Sequence, residues 1–297
     1  MPQMLWLPPR RHLGALVGRV PALRRLLSTA TRLPDAVAGA NALLSTVFLE
    51  CPDLPAVAAL TRRVDAPDDH DGRWLRADPC HLRVETAGVR MLACGGLRIP
   101  EDELPMFEAA LRPLFDDAGW RFHAATPDRW YVQPDPLHPP IGGGTPEQVL
   151  GAYIDDALPP GDGGRVTRRW LNELQMALHD HALNRARRER SLPEINSLWL
   201  HGDGVAPNAW STRVAAVMSR DPLVLGCAHV AGIPARHDLA DVTPALLVDA
   251  RDDVVATVLA RSRWLEQSSA LDIALESGER FVWRSWHRLR FWRREPT

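Results

Sequence analysis

Lysine is missing from this chain: all 35 of its basic residues are arginine. A Walker A phosphate loop is therefore excluded, because that loop needs its lysine; a GC-rich coding sequence is one cause of so skewed a composition. Tyrosine is nearly absent as well, with 2 residues against 11 tryptophans. Charge of one sign is lacking, since the formal net charge is −2, so there is no global footprint for nucleic acid or an anionic membrane. The 4 cysteines, at positions 51, 80, 94 and 227, form no CxxC pair and no zinc spacing, and a reducing compartment is the simpler setting. No apolar run reaches membrane length: the longest uncharged stretch, 36–49, is short and carries Asn41, Ser45 and Thr46. The start, MPQMLWLPPRR, lacks the continuous apolar segment of a signal peptide. A cytoplasmic protein is expected. GxSxG, HExxH and GxGxxG motifs are missing too.

What is present is enough to fold. The 297 residues, 45% of them hydrophobic, can bury the core of one large domain or two small ones. Residues 170–204 read as a long helix, a turn and a buried strand ending in a glycine loop. At about 100° per residue, Trp170, Leu171, Leu174, Ala177, Leu178 and His181 share one helix face, which makes Leu174 and Leu178 core residues. His181 and Asn184 face alike near the helix end. Arg185, Arg187, Arg188 and Arg190 crowd the last turns, where cations favour the helix C-terminus. Capping and anion binding are both open to them. Residues 195–200 then read as a strand, with Gly202-Asp203-Gly204 turning the chain at its carboxyl end, where ligands sit in open α/β sheets.

Elsewhere, residues 1–60 look helical, with a short helix opened by Pro21. PDDHDG, 67–72, groups three aspartates with His70 but lacks the ligand order of an EF-hand. Two hairpins are expected, 82–84 with 89–93 and 120–124 with 130–133. Between them 101–118 is a helix with Leu104, Phe107, Leu111 and Phe115 on one face. The Pro/Gly-rich stretch 141–164 is the expected linker. It separates an α+β region, 1–140, with antiparallel hairpins, from an α/β region, 165–297. In the latter, 213–218 and 245–248 read as strands, and 222–231 and 254–267 as helices. Residues 281–291 read as a strand whose Arg and Trp side chains alternate. They could bind nucleic acid or, with no partner assumed, cover a sheet edge.

Five motifs in this order, RADPCHL (76–82), PDRWYV (127–132), WLNELQMALHDHALN (170–184), INSLWLHGDG (195–204) and RLRFWRR (288–294), resemble the bacterial RpfE-type regulatory proteins, which are phosphoglycerate mutase-like. The central segment is also similar to archaeal-type cofactor-independent phosphoglycerate mutases of the alkaline phosphatase superfamily. The resemblance implies an α/β fold with an alkaline phosphatase-like remnant and a candidate polar pocket of His181, Asn184, Arg187, Asn196, Trp199, Gly202 and Gly204. Ala182 stands where those mutases have proline, and His201 where they have a second tryptophan. Their chemistry needs a hydroxyl nucleophile and two metals held by Asp and His. Here the N-terminal strand lacks the Asp-Gly pair, and 246–253 offers carboxylates, Asp249 among them, without histidine.

The first expected function is therefore a regulatory or ligand-binding pseudoenzyme without metal or other cofactor, taking a small anionic ligand or a protein partner. The same polar residues could instead simply satisfy one another. The alternative is a mutase or phosphatase with relocated catalytic groups, using Mn or Zn; Asp78, His81, Asp203 and Asp249 are its candidates. Neither membrane nor nucleic acid is an expected partner. Three or more carboxylates and imidazoles about one point, close to a serine or threonine, would overturn the non-catalytic reading.

Overall fold

The computed structural model describes residues 3–49, 56–239 and 245–290. In chain order the elements begin β1 (Gln3–Leu7), α1 (Arg10–Arg19), α2 (Pro21–Thr29), β2 (Thr31–Leu33), α3 (Ala40–Val47), β3 (Phe48–Leu49) and α4 (Val57–Asp65). There follow β4 (Arg73–Glu85), β5 (Gly88–Cys94), α5 (Leu104–Asp117), β6 (Arg121–His123), β7 (Tyr131–Gln133), α6 (Pro146–Val149), α7 (Gly161–His179), α8 (Ala182–Glu189) and β8 (Ser197–Val205). The rest gives β9 (Ser211–Thr212), β10 (Ala216–Met218), α9 (Pro222–Val230), β11 (Leu246–Asp249), α10 (Asp253–Arg261), α11 (Trp264–Gln267), β12 (Ala270–Leu275) and β13 (Arg280–Arg284). The chain is a mixed α/β protein of two units. The first joins Met1–Leu54 to Pro207–Thr297, and the second is the inserted stretch Pro55–Ala206.

In the first unit, strands run in the order β10-β11-β1-β12-β13-β2. β10, β11, β1 and β12 are parallel, and β13 and β2 are antiparallel additions. Leu5 of β1 stands between Val248 and Ile273, so a segment expected to be helical is the central strand. A five-residue run with a central position in a parallel sheet shows neither alternation nor a helical stripe. Asp221 caps α9 at Leu223 N, with Pro222 in the first turn, and Asp252 caps α10 at Val254 N and Val255 N. The single helix expected over 254–267 breaks after Arg261, where the Ser262 hydroxyl accepts from Trp264 N and donates to Leu259 O. The strand expected over 281–291 ends at Arg284, and 285–289 is a 3-10 turn. Arg288 of the turn lies over Trp283 of β13, and Arg290, just past the turn, over Trp286. Residues 291–294 of the last motif lie outside the described residues.

The second unit is an antiparallel sheet built around β4. β4 pairs with β8 over Arg73–Cys80, with β7 at Leu75 and Arg76, and with β5 over Cys80–Glu85. Both expected hairpins form, with Val84 opposite Val89 and Phe122 opposite Val132. Leu75, Ala77, Val132, Leu198 and Leu200 pack in one apolar cluster with Phe107, Leu111 and Phe115 of α5 and Trp170, Leu174 and Leu178 of α7. Each valine, leucine or phenylalanine among them, removed from water, contributes about 1.5–3 kcal/mol. The stretch 141–164 lies inside this unit: Gly143 N donates to Leu200 O at 2.8 Å, and Gly142 N to the Thr167 hydroxyl at 3.1 Å. Two further expectations are corrected. The long helix breaks at Asp180, and α8 restarts behind His181 as its cap. Gly202 and Gly204 do not turn the chain but lie within β8. With φ of +68° and +155° they leave room for α4, since a Cβ on Gly202 would stand 3.0 Å from Val57 and one on Gly204 2.8 Å from Ala56.

Candidate functional site

Ligands of open α/β sheets gather at the carboxyl ends of the parallel strands, which in the first unit carry one compact polar cluster. β10 runs into Ser219 and Asp221, β11 ends at Asp249 with Arg251 two residues on, and β12 runs into Glu276. The Arg251 guanidinium grips Asp249 with both arms, Nε to Oδ1 at 2.7 Å and Nη2 to Oδ2 at 2.8 Å. The same Nη2 reaches Asp221 at 3.0 Å, and Nη1 lies 3.9 Å from Glu276. The Ser219 hydroxyl donates to Asp249 Oδ2 at 2.8 Å and accepts from Asp221 N at 3.0 Å. Burial would weaken the arginine's hold on its proton, but the Asp249 bond and the surrounding carboxylates raise its pKa above the ordinary value. Arg251 therefore stays cationic.

Three carboxylates do meet near a serine here, yet their common point is a guanidinium of the chain itself. Both Asp249 oxygens are engaged by Arg251, and the cluster contains no imidazole. Among the described residues no group of three or more His, Cys, Asp or Glu could hold a metal ion. The donors present do not fit Mn or Zn unless Arg251 leaves. Within this cluster three carboxylates face one guanidinium, a local balance that disfavours an anion between them. Sequence reading found Asp249 but missed Arg251, Asp221, Glu276 and Ser219; the Asp-Ala-Arg spacing was the available signal.

The second unit has a polar face. Arg76 and Asp78 alternate along β4 with the apolar Leu75 and Ala77, and His201 stands opposite Arg76. Arg76 binds Asp78 with two bonds of 2.8 and 2.7 Å, and His201 Nε2 lies 2.8 Å from Asp78 Oδ2. Burial pushes the Asp78 carboxyl up, but the Arg76 charge and the His201 bond hold it below its ordinary range. Arg76 also donates to the Thr61 hydroxyl, whose oxygen lies 2.9 Å from that of Tyr131. Tyr131 in turn donates to Asp65, held bidentately by Arg129 at 2.6 and 2.7 Å. Arg62 stacks 3.6 Å above the Trp74 ring and bonds Asp69. An Asp–His pair can work as an oriented base. Here His201 is only 5% exposed and its Nδ1 has no hydrogen-bond partner, so the pair holds no nucleophile.

The motif residues each fasten backbone. His181 caps α8, and burial together with Arg185 lowers its pKa. Asn184 is fully buried; its amide donates to Leu178 O and Ile195 O, and its oxygen accepts from Ile195 N. Arg187, also fully buried, donates to Pro193 O and Leu97 O. Asn196 spans the bulge in β4, bonding both Leu82 N and Leu82 O. His81 donates to Glu194 O, Trp199 to Gly144 O, and Asp203 accepts two bonds from Arg73. In 67–72, Asp69 is taken by Arg62 and Arg121. Asn184 and Arg187 thus share the anchoring of 193–195, while Asn196, Trp199 and the glycines act at separate places along β8. None of the seven lines the cleft of about 480 Å³ beside Trp120, His138, Arg169 and Trp170. Among the described residues no helix is long and apolar enough to cross a membrane.

No family model matches the chain. Over 93 residues it is 33% identical to a probable 2,3-bisphosphoglycerate-independent phosphoglycerate mutase from Geobacter sulfurreducens, covering 30% of this chain and 23% of that protein. Over 63 residues it is 33% identical to a 2,3-bisphosphoglycerate-independent phosphoglycerate mutase from Methanothrix thermoacetophila, covering 21% and 16%. The match thus spans less than a quarter of the length of these curated relatives. Among solved structures, the chain is similar to a cofactor-independent phosphoglycerate mutase from Thermoplasma acidophilum (TM-score 0.45, 14% identity, 96% of this chain and 90% of that one). It is also similar to a Pyrococcus horikoshii protein (TM-score 0.47, 12% identity, 95% and 87%). The sequence matches establish distant homology to cofactor-independent phosphoglycerate mutases.

Proposed function

We propose that this chain is a non-catalytic regulatory or ligand-binding protein built on a phosphoglycerate mutase-like scaffold. The observation that carries the reading is Arg251, whose guanidinium fills the point where Asp221, Asp249 and Glu276 converge. A two-metal centre needs that point free, because cations there activate the nucleophile and neutralise phosphoryl charge. The carboxylate excess of the Arg251 cluster and the backbone bonds spent by Asn184, Arg187 and Asn196 favour a protein partner over a small anion. The finer resemblance to RpfE-type regulators, and a cytoplasmic setting, belong to the same proposal. Activity assays on 3-phosphoglycerate and on a generic phosphomonoester, with Mn or Zn supplied, test it. Rates at the no-protein blank are expected; turnover lost on Ser219→Ala would sink the reading.

A second reading, an enzyme with relocated groups, has one observation in its favour, the Ser219–Asp249 hydrogen bond of 2.8 Å. The serine would be its nucleophile. Its own carboxylate partner is already engaged by Arg251, so that serine lacks a free base.

A further inference from the structure

Spacing hides a relationship between two cysteines that strand pairing exposes. Cys80 of β4 stands directly opposite Cys94 of β5, and both thiols are free. Gly95 N donates to Pro79 O, which makes the neighbouring 79/95 position the hydrogen-bonded one. Pro79 has no N–H to return the bond. Cys80 and Cys94 therefore form a non-hydrogen-bonded pair, the kind whose Cα atoms approach to about 4.5 Å with side chains closest. A disulfide accepts Cα separations from about 4.4 Å upward. The two side chains share one face and one apolar cluster, with Met91, Val149, Ile154 and Trp199. Cys80 is fully buried, whereas Cys94 is partly open to solvent.

We propose that Cys80 and Cys94 are an oxidation site at which a peroxide forms a cross-strand disulfide. The more accessible partner, Cys94, reacts first. Cys94 sulfur attacks one peroxide oxygen, the O–O bond breaks, and the departing oxygen leaves as water, giving a sulfenic acid. Cys80 sulfur then attacks Cys94 sulfur, the S–O bond breaks and a second water leaves. Two thiols have lost two electrons and two protons to one peroxide. Burial raises both thiol pKa values, so few thiolates exist at neutral pH and the bond forms slowly. The same thiols are poor leaving groups, so the bond once formed exchanges slowly. The site is a persistent clasp on the β4–β5 hairpin rather than a fast sensor.

The full chain, reduced and then treated with hydrogen peroxide in native buffer, is alkylated and digested with trypsin. Cleavage at arginine gives peptides 77–83 and 91–98, one cysteine in each. The expected product is these two peptides joined, 2 Da lighter than their sum, separable by dithiothreitol, with a melting temperature about 5 °C higher before reduction. Cys94→Ser is expected to abolish the joined peptide and leave Cys80 alkylatable on unfolding. Separate over-oxidation of Cys94 with Cys80 still a thiol would overturn the proposal, as would two intact thiols after prolonged exposure.

Discussion

Asn184 shows what a polar residue inside the second unit is for. Its side chain satisfies Leu178 O, Ile195 O and Ile195 N where water does not reach. Asn184→Ala strands three buried backbone groups, at about 1–3 kcal/mol for each one not rescued. Urea unfolding should show a loss of about 3 kcal/mol, and Asn184→Asp should do no better, because a carboxylate cannot donate to the two carbonyls. Asp78 makes a different prediction. Its folded pKa lies below the ordinary carboxylate value, so its contribution is full above about pH 4 and is lost as pH falls through the folded value. Unfolding midpoints measured from pH 7 down to 3 should fall at the acid end, and Asp78→Asn should flatten that fall. The same variant leaves Arg76 unpaired at 7% exposure, at a cost of about 3–5 kcal/mol. These residues were visible in the sequence as types but not as tasks. A helix-end His-x-x-Asn reads alike whether it binds an anion or ties a loop, because the deciding partners of Asn184 are backbone groups on both sides of it, Leu178 O six residues before and Ile195 eleven after.

At the scale of elements, β8 is the seam. Its glycines take positive φ so that the start of α4 can lie against it, and Gly143 lies against the ring of Trp199, where a Cβ would come within 2.4 Å of the indole. Gly204→Ala pushes on Ala56 backbone and side chain together. A loss of about 2–3 kcal/mol is expected from that strain, read as a lower thermal midpoint, while Gly95→Ala, with open space around it though φ is +75°, should lose less. Periodicity disclosed the hairpins, α5 and the Leu174/Leu178 face, since each alternates or repeats cleanly, while α9, apolar on every side, was legible from the proline and glycine that bracket it. It failed at β1, which is buried too evenly to show a period, and at the α7–α8 break, where every residue tolerates helix. It also failed at Gly202 and Gly204: glycine pairs mark turns far more often than strands pressed against a helix.

For the whole molecule, the insertion of Pro55–Ala206 into a unit made from both ends of the chain was not legible, because β1 and β11 lie 243 residues apart at the pairing of Leu5 with Val248. A fragment spanning 55–206 carries its own apolar cluster and should fold alone, with near-ultraviolet dichroism from the fully buried Trp74, Trp130 and Trp199 and one cooperative melt. The first unit carries the argument about function. Its sheet end keeps three carboxylates and supplies their cation internally, so removing that cation should restore an appetite for a hard divalent ion. The most direct measurement is equilibrium dialysis of the wild-type chain and of Arg251→Ala against manganese. The account predicts no stoichiometric uptake by the wild type and uptake by the variant, accompanied by a metal-dependent rise in its melting temperature. One or two equivalents of tightly held manganese on the wild type, with Arg251 intact, would contradict it.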